Sequence, residues 1–162
     1  KGASLRPTNE PQLKEPAMTR TLVFAAALAL ATPALAQKAE VFTDSGAAIR
    51  GYDPVAYFAD SKPVKGDAKY TYSWKGATWR FASAANRDAF AASPEKYAPQ
   101  YGGYCAYGVA GGYAVSTVPE AWTVRDGKLY LNYSKGVQKD WLKDPAGYIR
   151  KADANWPKVL ER

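Results

Sequence analysis

Two stretches of the chain alternate aromatic or β-branched residues with polar ones, and each stretch is divided by a two-residue turn. The first covers residues 70–81, with Lys75-Gly76 between its halves. The second covers residues 122–131, with Asp126-Gly127 at its centre. A residue followed by Gly between two such runs is typical of a tight β-hairpin, because both turn positions need positive φ. The pattern therefore predicts two antiparallel hairpins.

Helix signals surround these hairpins. Polar residues that can cap a helix stand before segments with spaced apolar residues, and two of them are followed by Pro, which suits the first helical position. The predicted caps are Asp53, Ser83, Ser134 and Asp144. Short antiparallel strands mixed with short helices predict an α+β fold, in one small domain with two antiparallel hairpins and flanking helices.

The segment 18–36 has a different character. Arg20 follows Met18, an apolar run covers 22–31, and small residues precede a potential cut after Ala36. These features predict a cleaved signal peptide, because the run is too short to cross a bilayer core of about 30 Å; a membrane anchor is the alternative. We expect a periplasmic or secreted protein with no stable membrane span after cleavage. Residues 37–162 would be the working domain, and residues 1–17 a mis-assigned start or non-native sequence.

Charge and composition exclude several functions. Of the 22 basic and 15 acidic residues, 18 and 13 lie in 37–162, so this part has a net charge of +5. The basic residues are scattered, whereas nucleic-acid binding calls for a basic stripe, so no nucleic-acid partner is expected. The chain has no histidine, which excludes His ligands, a His general base and a Ser-His-Asp relay. A binding protein is favoured over an enzyme.

The single cysteine, Cys105, lies in a segment rich in glycine and tyrosine, 101–113, which we expect to be a loop. An unpaired cysteine in an exported protein risks oxidation, and neighbouring glycines let a ligand approach the backbone closely. The candidate binding residues are Cys105, Tyr52, Asp53, Tyr101, Tyr104, Tyr107 and Tyr113. The alternatives are a cysteine that packs as a small apolar residue, tyrosines that pack in the core, and Asp53 as a helix cap.

Residues 79–90 and 94–97 together resemble the YHS domain. Four flanking motifs, at 51–57, 101–106, 127–133 and 152–156, resemble a longer exported branch of that family, and the resemblance extends from about Val41 to Pro157. It implies metal binding by cysteines at a strand-to-helix junction, but Ala82 and Asn86 stand at those positions here. Some relatives in the exported branch carry selenocysteine where this chain has Cys105, which implies chemistry at the sulfur.

Three functions remain open. The leading expectation is a periplasmic YHS-like binding protein that handles a soft metal ion such as copper at Cys105. A stable site for a soft metal ion requires two or more Cys, His or Met ligands. Because the chain offers only Cys105, the other ligands would be a carboxylate, a phenolate, a backbone carbonyl or groups from a second subunit. The last alternative implies a homodimer. The second is a thiol-redox protein with Cys105 as nucleophile, which needs a reactive thiolate and an external thiol. The third is a structural or interaction module that performs no chemistry.

Overall fold

The structure is a computed structural model that describes residues 37–162. The predicted signal peptide at 18–36 and the interpretation of residues 1–17 lie outside the described residues. Within the described part of the chain, every helix is too short or too polar to cross a membrane.

Within residues 37–162, six short strands pair as three separate antiparallel hairpins, and six helices lie between and after them in the chain. The strands are β1 (Thr43–Asp44), β2 (Ala47–Ala48), β3 (Asp67–Trp74), β4 (Ala77–Phe81), β5 (Trp122–Arg125) and β6 (Lys128–Leu131). The helices are α1 (Ala56–Ala59), α2 (Ala84–Ala92), α3 (Pro94–Tyr97), α4 (Ala106–Ala110), α5 (Lys135–Trp141) and α6 (Pro145–Asn155). Single 3-10 turns lie at Ile49–Gly51, Gln100–Gly103 and Lys158–Glu161. The predicted α+β class is confirmed.

Both predicted hairpins are present, with the expected turns. Lys75 and Gly76 have φ of 49° and 72°, and Asp126 and Gly127 have φ of 51° and 72°, as a type I′ turn requires. A third hairpin, β1–β2, was not predicted, because strands of two residues are too short to show a period in the sequence. It turns through another residue-Gly pair with positive φ at both positions.

Three of the predicted caps, Ser83, Ser134 and Asp144, are the N-caps of α2, α5 and α6. The fourth, Asp53, lies two residues before Val55, the N-cap of α1, and binds the turn that leads into that helix. In each case the side-chain oxygen of the cap accepts a hydrogen bond from a backbone N–H two or three residues later, which satisfies a donor that the first helical turn leaves free. The pairs are Asp53 with Val55, Ser83 with Asn86, Ser134 with Val137, and Asp144 with Gly147.

The buried residues form two clusters that meet at strand β6. Leu129 and Leu131 pack into the first cluster, with hairpin β3–β4 and helix α2. Tyr130 lies between them in sequence and packs into the second cluster, with α4, α5 and α6. Successive side chains of a strand point to opposite faces. Strand β6 therefore joins the two halves of the core.

The segment 101–113 is not the loop that the sequence predicted. It holds a 3-10 turn and helix α4, and Cys105 is the N-cap of that helix. Its glycines serve close packing: a Cβ on Gly108 would lie 2.9 Å from Val115 Cγ2. The many glycines of this segment favoured a loop in the sequence, and the helix was therefore not predicted.

Candidate functional site

The sulfur of Cys105 lies inside the protein, with 1% of the residue exposed. It accepts hydrogen bonds from the backbone N–H groups of Tyr133, at 3.2 Å, and Gly108, at 3.4 Å. Its own thiol donates to Oδ1 of Asn132, at 3.4 Å, and the same oxygen accepts from the N–H of Tyr107. The thiol thus connects the start of α4 to the end of β6.

Burial raises the pKa of the Cys105 thiol above its ordinary value, and this effect outweighs the N–H groups of Gly108, Tyr133 and Tyr107, which lower it. The thiol is therefore neutral at neutral pH. A buried, protonated thiol is a poor nucleophile, because the thiolate is the reactive form.

A soft metal ion does not fit the residues around Cys105. A thiolate ligand would have to lose its proton in a setting whose burial raises its pKa, and the sulfur already accepts hydrogen bonds from two backbone N–H groups. The chain has no second cysteine and no histidine. Among residues 37–162, no group of three or more Cys, His, Asp or Glu side chains is arranged to hold a metal.

The tyrosines near Cys105 in sequence do not converge on its sulfur. The hydroxyl of Tyr101 donates to Asp153, and that of Tyr104 donates to the carbonyl of Ala39, both at 2.8 Å. The side chain of Tyr107 packs on Tyr148 at the surface, with ring centres 4.9 Å apart. Tyr113 is 67% exposed. The structure does not bring these four side chains together into one pocket around the thiol.

Asp53 is a structural carboxylate. It is fully buried, and its Oδ1 caps α1 by accepting from the N–H groups of Val55 and Ala56. Its Oδ2 accepts from the N–H of Ala82, at 2.9 Å, and from the side-chain amide of Asn86, at 2.7 Å. Asp53 therefore binds the backbone at the start of α1, as a capping residue does, although Val55 is the N-cap of that helix. None of these hydrogen bonds involves Cys105.

Tyr52, the remaining candidate, is half-buried and forms an isolated β-bridge with Lys65. The bridge joins the residue before Asp53 to the segment that leads into β3. This contact is made by the backbone of Tyr52 and does not involve Cys105.

A groove of about 290 Å³, which no pattern in the sequence indicated, lies on another part of the domain. Four aromatic side chains, three carboxylates and one ammonium group line it, along with small and apolar residues. The aromatic and charged residues are Trp74, Trp79, Tyr101, Trp156, Glu40, Glu95, Asp153 and Lys75.

One side of the groove is built around an ion pair. Lys75 Nζ lies 2.6 Å from Oε1 of Glu40 and 4.9 Å from the centre of the Trp74 ring. On another side, the carboxylate of Asp153 accepts a hydrogen bond from the Tyr101 hydroxyl. The centre of the Tyr101 ring lies 6.0 Å from the centre of the Trp156 ring. Aromatic faces and carboxylates thus lie together in one concave surface.

Comparison with known families gives one match. Residues 55–101 match the YHS domain. The chain carries a YHS domain. Neither the curated proteins nor the solved structures gave a match. The YHS domain runs from the start of α1 to the 3-10 turn at 100–103, so Cys105 lies beyond its matched range. Five of the eight aromatic and charged residues of the groove lie in the matched range, namely Trp74, Lys75, Trp79, Glu95 and Tyr101.

Proposed function

We propose that the chain is an exported, non-catalytic binding protein that holds a small ligand in the groove that its YHS domain forms with residues on either side of it. The observation that carries this proposal is the combination of aromatic walls and charged groups in one concavity. Ligand sites in proteins are concave, largely apolar, and furnished with a few polar groups that fix orientation. The groove has the aromatic faces and the converging polar groups of such a site, but it is more polar than most, and its volume of about 290 Å³ lies just below the usual range of about 300–1,000 Å³.

Binding in the groove is tested with a library of small polar and aromatic compounds, observed by ligand-detected NMR. Trp156→Ala removes one wall of the groove, and Leu142→Ala removes an exposed side chain at the end of helix α5 as the control. We expect at least one compound to bind the parent and the control but not the Trp156→Ala variant. If every compound that binds is unaffected by the loss of Trp156, the groove is not the binding site.

Export rests on the predicted signal peptide in 18–36. Expression of the full chain in a Gram-negative host, followed by N-terminal sequencing of the periplasmic product, tests it. We expect a mature protein that begins at Gln37. Uncleaved protein confined to the cytoplasm would contradict export while leaving the binding proposal in place.

Thiol chemistry at Cys105 is the second candidate function. It is favoured by one observation, the backbone N–H groups of Gly108 and Tyr133 aimed at the sulfur, since such donors stabilise a thiolate. It would require the start of α4 to open, because the sulfur is buried. A rate of Cys105 alkylation in the folded protein that matches a free thiol would support it. Alkylation that occurs only on unfolding would reject it.

A further inference from the structure

The charge of the groove is opposite to that of the domain around it. Residues 37–162 carry a net charge of +5, whereas the groove holds three carboxylates and one ammonium group. Glu40 is paired with Lys75, but neither Glu95 nor Asp153 forms a salt bridge with any residue in the described range. A positively charged ligand would therefore find two acidic groups without a basic partner.

The aromatic walls favour the same kind of ligand. A cation is attracted to the face of an aromatic ring, most strongly to that of Trp. The protein already shows this chemistry within the groove, because the Lys75 ammonium group lies over the Trp74 ring while it contacts the Glu40 carboxylate. The contacts of Lys75 show that an ammonium group can lie against an aromatic face and a carboxylate of this groove at the same time.

The backbone holds the groove in shape before any ligand arrives. Tyr101 has φ of 57°, which is uncommon for a residue with a bulky side chain. The next residue, Gly102, packs so closely under the backbone of Glu40 that a Cβ would overlap the Glu40 carbonyl oxygen. The N–H of Phe42 donates to the carbonyl of Gly102, at 2.9 Å. These contacts fix the segment that carries Glu40 against the segment that carries Tyr101.

From the charge, the aromatic faces and the fixed backbone, we propose that the ligand of the groove is a small organic cation, an ammonium group on an apolar body. This inference rests on the proposed binding function and names its ligand class. Glu95 and Asp153 would neutralise the positive group, and the rings of Trp74 and Trp156 would lie against the ammonium group and the apolar body that carries it.

The test compares cations with neutral molecules of the same shape by isothermal titration calorimetry. The pairs are choline with 3,3-dimethylbutan-1-ol, and 2-phenylethylamine with 2-phenylethanol. We expect at least one cation to bind about tenfold or more tightly than its neutral partner, and this preference to shrink as salt is added. Equal affinities within both pairs, or no binding of any of the four, would overturn the cation inference. Binding of the neutral partners alone would overturn it too, while still supporting the proposed function.

Variants show whether the named groups are responsible. Glu95→Gln and Asp153→Asn keep the size of the side chain and remove its charge, and each should weaken cation binding about three- to tenfold without affecting the neutral partner. Asp88→Asn, an exposed carboxylate outside the groove, is the matched control and should change neither. Lys75→Met removes the internal ammonium group and should strengthen cation binding severalfold. Unchanged cation affinity in all three groove variants would overturn the inference.

Discussion

The side-chain amide of Asn86 donates a 2.7 Å hydrogen bond to the fully buried carboxylate of Asp53. This contact lies at the junction between β4 and α2, where the N–H of Ala82 donates to the same oxygen. Ala82 and Asn86 are the positions at which the resemblance to the YHS domain implies metal-binding cysteines. In this chain a carboxylate from the segment before α1 closes the junction, and it accepts four hydrogen bonds in all.

Replacing Asp53 should therefore destabilise the fold strongly. Asp53→Ala leaves four donors without an acceptor, two of them at the start of α1 and two at the β4–α2 junction. We expect the free energy of unfolding to fall by about 3 kcal/mol or more, measured by urea denaturation. Asp88→Ala, which removes an exposed carboxylate on α2, should stay within about 0.5 kcal/mol of the parent. A loss below about 1 kcal/mol for Asp53→Ala would contradict this structural role.

The features that the sequence predicted well are those determined by neighbours in the chain. A turn such as Lys75-Gly76 and a cap such as Ser83 depend on residues at most three positions away, and both are as predicted. The burial of Cys105 depends on Asn132 and Tyr133, 27 and 28 residues later, which no local pattern reports. The loop prediction for 101–113 failed because glycine was taken as a loop signal, whereas Gly108 lies within helix α4 and packs closely against Val115, seven residues later.

The raised pKa of Cys105 predicts a loss of stability at alkaline pH. The thiol of an unfolded chain ionises near pH ~8.5, whereas burial keeps the folded thiol protonated to higher pH. Well below that pH the thiol is protonated in both the folded and the unfolded state, so its ionisation does not affect the free energy of unfolding. Above it the unfolded state binds fewer protons than the folded state, so the free energy of unfolding falls as pH rises, until the folded thiol ionises too.

The measurement is urea denaturation of the parent and of Cys105→Ala at two pH values, about 8.0 and 9.5. These values lie on either side of the ordinary pKa of a thiol. One thiol can change the free energy of unfolding by at most about 1.4 kcal/mol per pH unit. Burial also raises the pKa of Tyr57 and Tyr101, but an unfolded tyrosine ionises near pH ~10, so these two residues act mainly above this range. We expect the parent to lose stability between the two pH values and the variant to lose less. Equal losses would show that Cys105 is not desolvated in the folded protein.

Removal of metal should leave the protein unchanged, because the surroundings of Cys105 do not fit a soft metal ion. We expect no stoichiometric metal in protein purified without chelator, by elemental analysis, and no shift of Tm on addition of EDTA. Cys105→Ala is analysed in parallel. Metal bound at one equivalent in the parent and lost in the variant would contradict the prediction, and would make ligands from a second subunit the next question.

The groove could not be predicted, because its parts come from distant segments. Glu40 precedes β1, Trp74 ends β3, Glu95 lies in α3 and Asp153 in α6. Each of these residues alone looks like an ordinary surface acid or a core aromatic residue. The composition gave no hint either, since the net positive charge of the chain conceals a local excess of carboxylates.

Gly102 links the stability of the fold to the shape of the groove, and its substitution tests both. In Gly102→Ala the new Cβ would overlap the Glu40 carbonyl oxygen, at a position that also has φ of 61°. Gly76 offers a matched control, because it has φ of 72° but no atom within 4 Å of the place that a Cβ would take. Gly76→Ala should therefore show the cost of the backbone conformation alone, about 1 to 2 kcal/mol.

We expect Gly102→Ala to lose clearly more stability than Gly76→Ala in urea denaturation, because it adds a collision with backbone to the same conformational cost. Relief of that collision requires the segment that carries Glu40 to move away from Tyr101, so any ligand of the groove should bind Gly102→Ala more weakly than Gly76→Ala. Similar unfolding free energies for the two variants would show that the Glu40 segment is free to shift, and that the groove is not held in shape by this contact.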